Sequence, residues 1–251
     1  MLGAKNIVVK LINAQTARPF IMKHHYSGKI VQNSKLHFGC FLNGVLGGVM
    51  SFGSPMDKSK TLPLFNGDIA WNGVMELNRM AFSDILPKNS ESRCIAYALR
   101  FIKQHYPFVK AIISFADGAQ CGDGTIYRAT GFSLTQIKRN RQIIELPNGE
   151  RVARITINVR DGTKTKDFMD RTGGKFIDGY MLRYVKILDP SITLNCDVLP
   201  YSTIDDMNAG MYLGEKRMRV KHSDDATTFH VVEGGLKPTD AHQFEMKGAV
   251  A

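Results

Sequence analysis

The sequence predicts a mixed α/β domain, and three observations carry that prediction. Apolar runs of strand length alternate with stretches whose apolar residues recur at helical spacing. Two Asn-Gly pairs, Asn43-Gly44 and Asn148-Gly149, sit between strand-like arms, where both residues tolerate the positive φ of a tight hairpin turn. Residues 109–117, VKAIISFAD, form an almost wholly apolar run bounded by Pro107 and Gly118, as expected of a central strand buried on both faces. A chain of 251 residues, 43% of them hydrophobic, is long enough to bury a real core, as one large domain or two small ones.

Taken in order, NIVVKLI (6–12) reads as a buried strand, and NAQTARPFIMKHHYSG (13–28) shows helical spacing that stops at Gly28. Residues 35–53 are two strands around Asn43-Gly44, hence antiparallel neighbours. The segment 53–72 is rich in Gly, Pro, Ser and Asp and long for a connection, which suggests a functional or mobile loop. VMELNRMAF (74–82) reads as a strand, and the helix that follows is capped by Asn89 or Ser90, with Ile95, Leu99 and Ile102 on one face. The run 109–117 then pairs in parallel with the preceding strand across that helix. GTIYRATGF (124–132) is a short helix closed by Gly131, with Asp123 and Thr125 as its N-cap candidates. A hairpin around Asn148-Gly149 and a last strand within 179–190 complete a domain over residues 1–195. Residues 196–251 are polar, basic and weakly periodic, and read as a flexible tail with one short helix near 204–218.

The net charge of +10 favours a polyanionic partner, because a basic surface gains from counterion release. Basic runs at 138–141 and 216–222 strengthen the reading, although many proteins are mildly basic with no such partner. Cys40, Cys94, Cys121 and Cys196 lack metal or disulfide spacing and read as free thiols. No apolar run reaches membrane-span length, and the N-terminus lacks a signal-peptide pattern, so a cytoplasmic protein is expected.

Four stretches could carry chemistry. KHHYSGK (23–29) offers an imidazole, a phenol and a hydroxyl within one turn, or simply a helix C-terminus decorated with His and Lys to suit the dipole. Asp117 ends the central strand, where ligands of open α/β sheets sit; it is a catalytic or metal-binding carboxylate, or an Asx turn. Tyr127 on the next helix is a general-acid candidate or an ordinary half-buried tyrosine. LPKNSESR (86–93) opens a helix whose N-terminus suits phosphate. In ELNRMAF (76–82), strand alternation places Glu76 and Asn78 on one face and Arg79 on the other.

The order of these parts is similar to the Gcn5-related N-acetyltransferase (GNAT) fold over roughly residues 5–190, a mixed central sheet flanked by helices. Within that superfamily HHYSG (24–28), ELNRMAF (76–82), FADG (115–118) and GTIYRATGF (124–132) resemble the bacteriophage Mom family. The resemblance implies modification of adenine in double-stranded DNA to the N6-carbamoylmethyl form, protecting phage DNA from host restriction in the host cytoplasm. It implies His25, Tyr26 and Asp117 as catalytic or iron-binding residues, Tyr127 as general acid, and Arg79, Asn78, Ser90, Ser92 and Ser114 lining the substrate and donor cleft. The superfamily's glycine-rich pyrophosphate signature is missing, since no glycine lies between Phe82 and Tyr106. The donor is therefore acetyl-CoA held by other means, or a glycyl group carried on tRNA. DNA is the expected partner, with tRNA beside it in the second case, and a homodimer is compatible with either. The long 53–72 segment, with Phe65 and Trp71, would supply the wall or wedge for a flipped base. Two other classes stay open: a conventional acyltransferase of a protein or small amine, and a non-catalytic DNA-binding protein.

Overall fold

The computed structural model describes residues 3–158, 162–212, 215–221, 227–233, 237–238 and 244–246. In chain order the elements are β1 (Val8–Ile12), α1 (Ala14–His24), β2 (Ser34–Leu42), β3 (Val45–Gly53), α2 (Lys58–Thr61), β4 (Phe65–Asn66), β5 (Val74–Phe82), α3 (Ser90–His105) and β6 (Ala111–Asp117). There follow α4 (Thr125–Ala129), β7 (Ser133–Asn140), β8 (Ile143–Glu145), β9 (Arg151–Ala153), α5 (Arg154–Thr156), α6 (Thr165–Thr172), β10 (Lys175–Phe176), β11 (Gly179–Ile187) and β12 (Thr193–Leu194). Beyond these lie α7 (Thr203–Asp206), β13 (Met211–Tyr212), β14 (Glu215–Lys221) and β15 (Thr227–Glu233). The mixed α/β architecture expected from the sequence is present, with a seven-stranded sheet in the order β1-β2-β3-β5-β6-β11-β7. Its first four strands are antiparallel neighbours, whereas β5 and β6 run parallel across the α3 crossover.

The chain groups into two units of interleaved segments. One comprises residues 1–115, 124–135 and 183–199. Here the Asn43-Gly44 turn takes φ values of 50° and 78°, joining β2 to β3 as the sequence indicated. Ala17 and Ile21 of α1 pack on Val49 and Ala81, while Cys94, Ile95, Ala98, Leu99 and Ile102 of α3 are all buried. Segment 53–72, expected to be a functional or mobile loop, contains regular structure: Asp57 caps α2 through the Lys60 N–H at 3.1 Å, and β4 pairs with β12. Leu64 and Phe65 enter a cluster with Val74, Ala111, Ile113, Val185 and Ile192. Phe65 is thus a core residue and no wedge for a base.

The other unit comprises residues 116–123, 136–182 and 200–251. Its three-stranded sheet runs β10-β8-β9, with the β8–β9 turn at Gly149 (φ 82°), and Ile144, Ile157 and Phe168 form its core. The helix expected near 204–218 is confined to Thr203–Asp206; Asn208 turns to φ 49° and a strand begins at Met211. Side chains of the basic run 216–222 beyond Lys216 lie outside the described residues. Among the described residues no helix is long and apolar enough to cross a membrane.

Candidate active site

The centre of the first unit is the place where two parallel strands part. β5 and β6 pair only through Val74↔Ala111, Met75↔Ile112 and Glu76↔Ile113, although β5 continues to Phe82 and β6 to Asp117. Immediately after the last rung β5 carries a bulge against β3: Phe52 pairs with Leu77 and Ser51 with Arg79, leaving Asn78 as the extra residue. Because Gly53↔Glu76 and Ser51↔Arg79 occupy alternate positions of β3, Glu76 and Arg79 share a face of the sheet and Leu77 points to the other. This overturns the alternation expected from sequence, which set Arg79 opposite Glu76; the inserted residue resets the period.

The bulge is held from several sides. Ser34 Oγ donates to Asn78 Oδ1 at 2.9 Å, and Arg79 donates through Nε to the Lys29 carbonyl at 2.8 Å and through Nη1 to the Asn78 carbonyl at 2.6 Å. Ser114 Oγ, fully buried, donates to the Leu77 carbonyl at 2.9 Å and lies 2.8 Å from the Tyr127 hydroxyl. A carbonyl only accepts and a serine has one proton to give, so Tyr127 points its own proton at Ser114. The phenol acts as an acid only if a leaving group replaces Ser114 as its acceptor. Tyr127 is buried and packs its ring against Phe132 and Tyr184. Gly124, at φ 83°, opens α4 in place of the Asp123 or Thr125 side-chain cap expected from sequence.

His25 closes the same region from the end of α1. The helix begins on an Asn13 cap to the Thr16 N–H at 2.8 Å and stops at His24, short of Gly28. His25 leaves the helix, its carbonyl accepts the Gly28 N–H at 2.8 Å, and its Nδ1 accepts the Ser27 N–H at 3.1 Å. Ser27 Oγ lies 2.8 Å from the same nitrogen. With Nδ1 accepting, the neutral ring carries its proton on Nε2. Burial, and then the Arg79 cation, hold His25 down at about 4, so it is neutral near pH 7. His24 stacks on Phe20 instead, and Tyr26 is 53% exposed beside the His25 ring. Glu76, by contrast, is pushed up to about 7 by burial, with Arg79 opposing.

Asp117 belongs to the other unit. One carboxylate oxygen accepts the Ala119 N–H and the other the Asn140 Nδ2, both at 3.0 Å, which makes Asp117 the cap of the turn leaving β6. Burial raises its pKa and these two hydrogen bonds oppose the rise. Ser90 and Ser92 do not present their hydroxyls to a phosphate. Ser90 Oγ is bonded to the Pro87 carbonyl and Ser92 Oγ to the Asn89 carbonyl, while Asn89 enters α3 at φ 66° without a side-chain cap. The Nδ1 of His25 is engaged with Ser27 and a guanidinium stands near the ring, and no three His, Cys, Asp or Glu side chains gather as a metal site among the described residues. The four cysteines are free thiols, as expected.

Sequence reasoning missed the bulge and with it the shared face of Glu76 and Arg79. It also missed Phe115, which is 39% exposed on an inner strand of the sheet. The sequence signal for both was thin: a polar triplet inside a strand, and one aromatic in an apolar run.

Fold and site together define an α/β protein whose buried polar groups converge on a bulged strand where its parallel neighbour diverges. The chain belongs to the Mom protein family, whose model matches residues 6–203. It is 41% identical over 134 residues to the methylcarbamoylase mom of Escherichia phage Mu, an alignment covering 53% of this chain and 54% of that protein. The chain thus spans about half the length of the curated relative it matches. Similar solved structures include an IAA acetyltransferase from Bacillus cereus ATCC 14579 (TM-score 0.42, 12% identity, 72% of this chain and 99% of that one). Another is an N-acetyltransferase from Staphylococcus aureus Mu50 (TM-score 0.44, 11% identity, 73% and 99%). At these scores the likeness carries no assignment.

Proposed function

We propose that this chain is a transferase that converts adenine in double-stranded phage DNA to its N6-carbamoylmethyl form and so shields that DNA from host restriction nucleases. The observation that carries the reading is membership of the Mom family over residues 6–203, together with a relative whose name is methylcarbamoylase. The net charge of +10 suits a polyanionic substrate. A weakly basic exocyclic amine needs positioning and proton removal, and the half-buried, partly neutralised groups on β5 and after α1 are of the right kind.

The donor is an activated ester: a glycyl ester on tRNA carries the two carbons and one nitrogen of a carbamoylmethyl group, whereas acetyl-CoA brings no nitrogen and would need a separate nitrogen source. The hydroxyls of Ser90 and Ser92 are engaged by backbone carbonyls, so neither serine supports a pyrophosphate at the α3 entrance. No step of this reading runs through iron. The test is mass spectrometry of nucleosides digested from the DNA of expressing cells. A new adenine species supports the reading, and an unmodified profile from soluble, folded protein ends it. Reconstitution with each purified donor then separates acetyl-CoA from glycyl-tRNA.

A further inference from the structure

We propose that Glu76 and Phe115 form the subsite for the acceptor base, with the Phe115 ring as stacking platform and the Glu76 carboxylate as acceptor of the amine proton. The inference rests on the functional reading above and adds residues to it.

The placement follows from register. Glu76 and Ile113 are partners in the last parallel rung, so their side chains share a face, and Phe115 lies two residues beyond Ile113 on that same face. Arg79 is there as well, through the bulge. On an inner strand Phe115 should be covered, yet it is 39% exposed, because β5 no longer pairs with β6 at that level. An aromatic ring open on one side, next to a carboxylate, is the complement of a planar ring that carries an amine.

The carboxylate is available. Among the described residues Glu76 makes no side-chain hydrogen bond and no ion pair, although it is half-buried, and a carboxylate in that position is ordinarily engaged. Its elevated pKa, near the working pH, suits a base that must take a proton and later release it. The titratable and charged groups around it are Arg79 on its own strand and, beyond Arg79, His25 and Tyr26 from the turn after α1. Of the facing positions of β3, Gly53 brings no charge and Ser51 is hydrogen-bonded at 2.7 Å to His37 of β2, whose imidazole is held low by burial and then Arg18; Ile113 and Phe115 of β6 bring none.

In the step proposed, the N–H proton of the exocyclic amine passes to Glu76 while the nitrogen pair forms the bond to the carbonyl carbon of a glycyl ester. The ester bond breaks and its electron pair leaves with the alkoxide, giving an N6-glycyl adenine, a constitutional isomer of the carbamoylmethyl form that reaches it by a later rearrangement in which no atom is gained or lost. The Glu76 proton passes to that leaving group or to water, which restores the carboxylate.

The experiment uses the full chain in lysates of expressing cells, which supply the donor, with unmodified duplex DNA added and modified adenine counted by mass spectrometry from pH 6 to 9. Phe115→Ala is expected to raise KM for DNA about tenfold or more with a smaller effect on kcat, and Phe115→Trp to restore it. Glu76→Gln is expected to lower kcat about a hundredfold or more at unchanged KM, with partial activity in Glu76→Asp and a shifted pH inflection. Melting curves establish that each variant is folded, and the conservative pair Phe115→Trp and Glu76→Asp keeps the test decisive if a truncation unfolds. Wild-type modification with Phe115→Ala and Glu76→Gln within twofold of it overturns this proposal alone. Absence of product with the wild-type chain overturns the functional reading and the subsite with it.

Discussion

Glu76 and His25 are both held away from their charged forms, and they leave opposite marks on stability. Burial raises the Glu76 carboxyl to about 7, so between pH 4.5 and 7 the folded state binds more protons than the unfolded one. Stability from this group falls as pH rises through that window, by at most about 3 kcal/mol. Glu76→Gln should therefore match the wild type near pH 4 and exceed it above pH 7 in denaturant midpoint. Equal midpoints at pH 8 would show that the carboxylate is better solvated than its burial suggests. His25, lowered to about 4, works the other way: the unfolded chain takes up its proton first, and stability is lost as pH falls from 6.5 to 4. At Asp117 the two oxygens each accept from a fixed donor, so an amide in its place must turn its NH2 towards one of them. Asp117→Asn should cost about 1 to 2 kcal/mol through that lost acceptor. An unchanged melting temperature would argue against the turn-cap role and return the carboxylate to the chemistry.

At the scale of elements, the entry to α4 sets where Tyr127 stands. Gly124 has φ 83°, and a Cβ there would lie 2.3 Å from Cε2 of Tyr184, a fully buried ring whose centroid is 5.1 Å from that of Tyr127. Gly149 has nearly the same φ, 82°, with open space around the missing Cβ. Gly149→Ala should therefore cost about 1 kcal/mol of backbone strain, and Gly124→Ala about 2 kcal/mol or more, because overpacking adds to it. Thermal melts of the two variants side by side check this, and equal losses would mean that Tyr184 yields without cost. The strand-level result of most consequence is the bulge at Asn78. A regular β5 would have kept Glu76 with Asn78; one extra residue joins Glu76 to Arg79 instead and frees the Leu77 carbonyl for Ser114.

At the scale of the whole molecule, the charge of +10 makes a prediction independent of chemistry. Affinity for duplex DNA should fall steeply between about 50 and 200 mM salt, with a log–log slope near −0.9 for each phosphate neutralised. Binding isotherms across that range measure the slope, and a value near zero would count against the DNA partner proposed above.

Much of the architecture was legible beforehand for a local reason. The Asn43-Gly44 and Asn148-Gly149 turns, the strand over Val74–Phe82 and the apolar central strand each depend on residues within one short window. So does the pattern of motifs that marks the family. What only the tertiary structure decided depends on residues far apart in the chain. The bulge is a mismatch between β5 and β3, the divergence that uncovers Phe115 is a property of β5 against β6, and the direction of the Tyr127 proton follows from a carbonyl fifty residues upstream in Leu77. Local periodicity encodes which face a residue takes in a regular strand. It cannot encode an interruption that exists only once the neighbouring strand is in place.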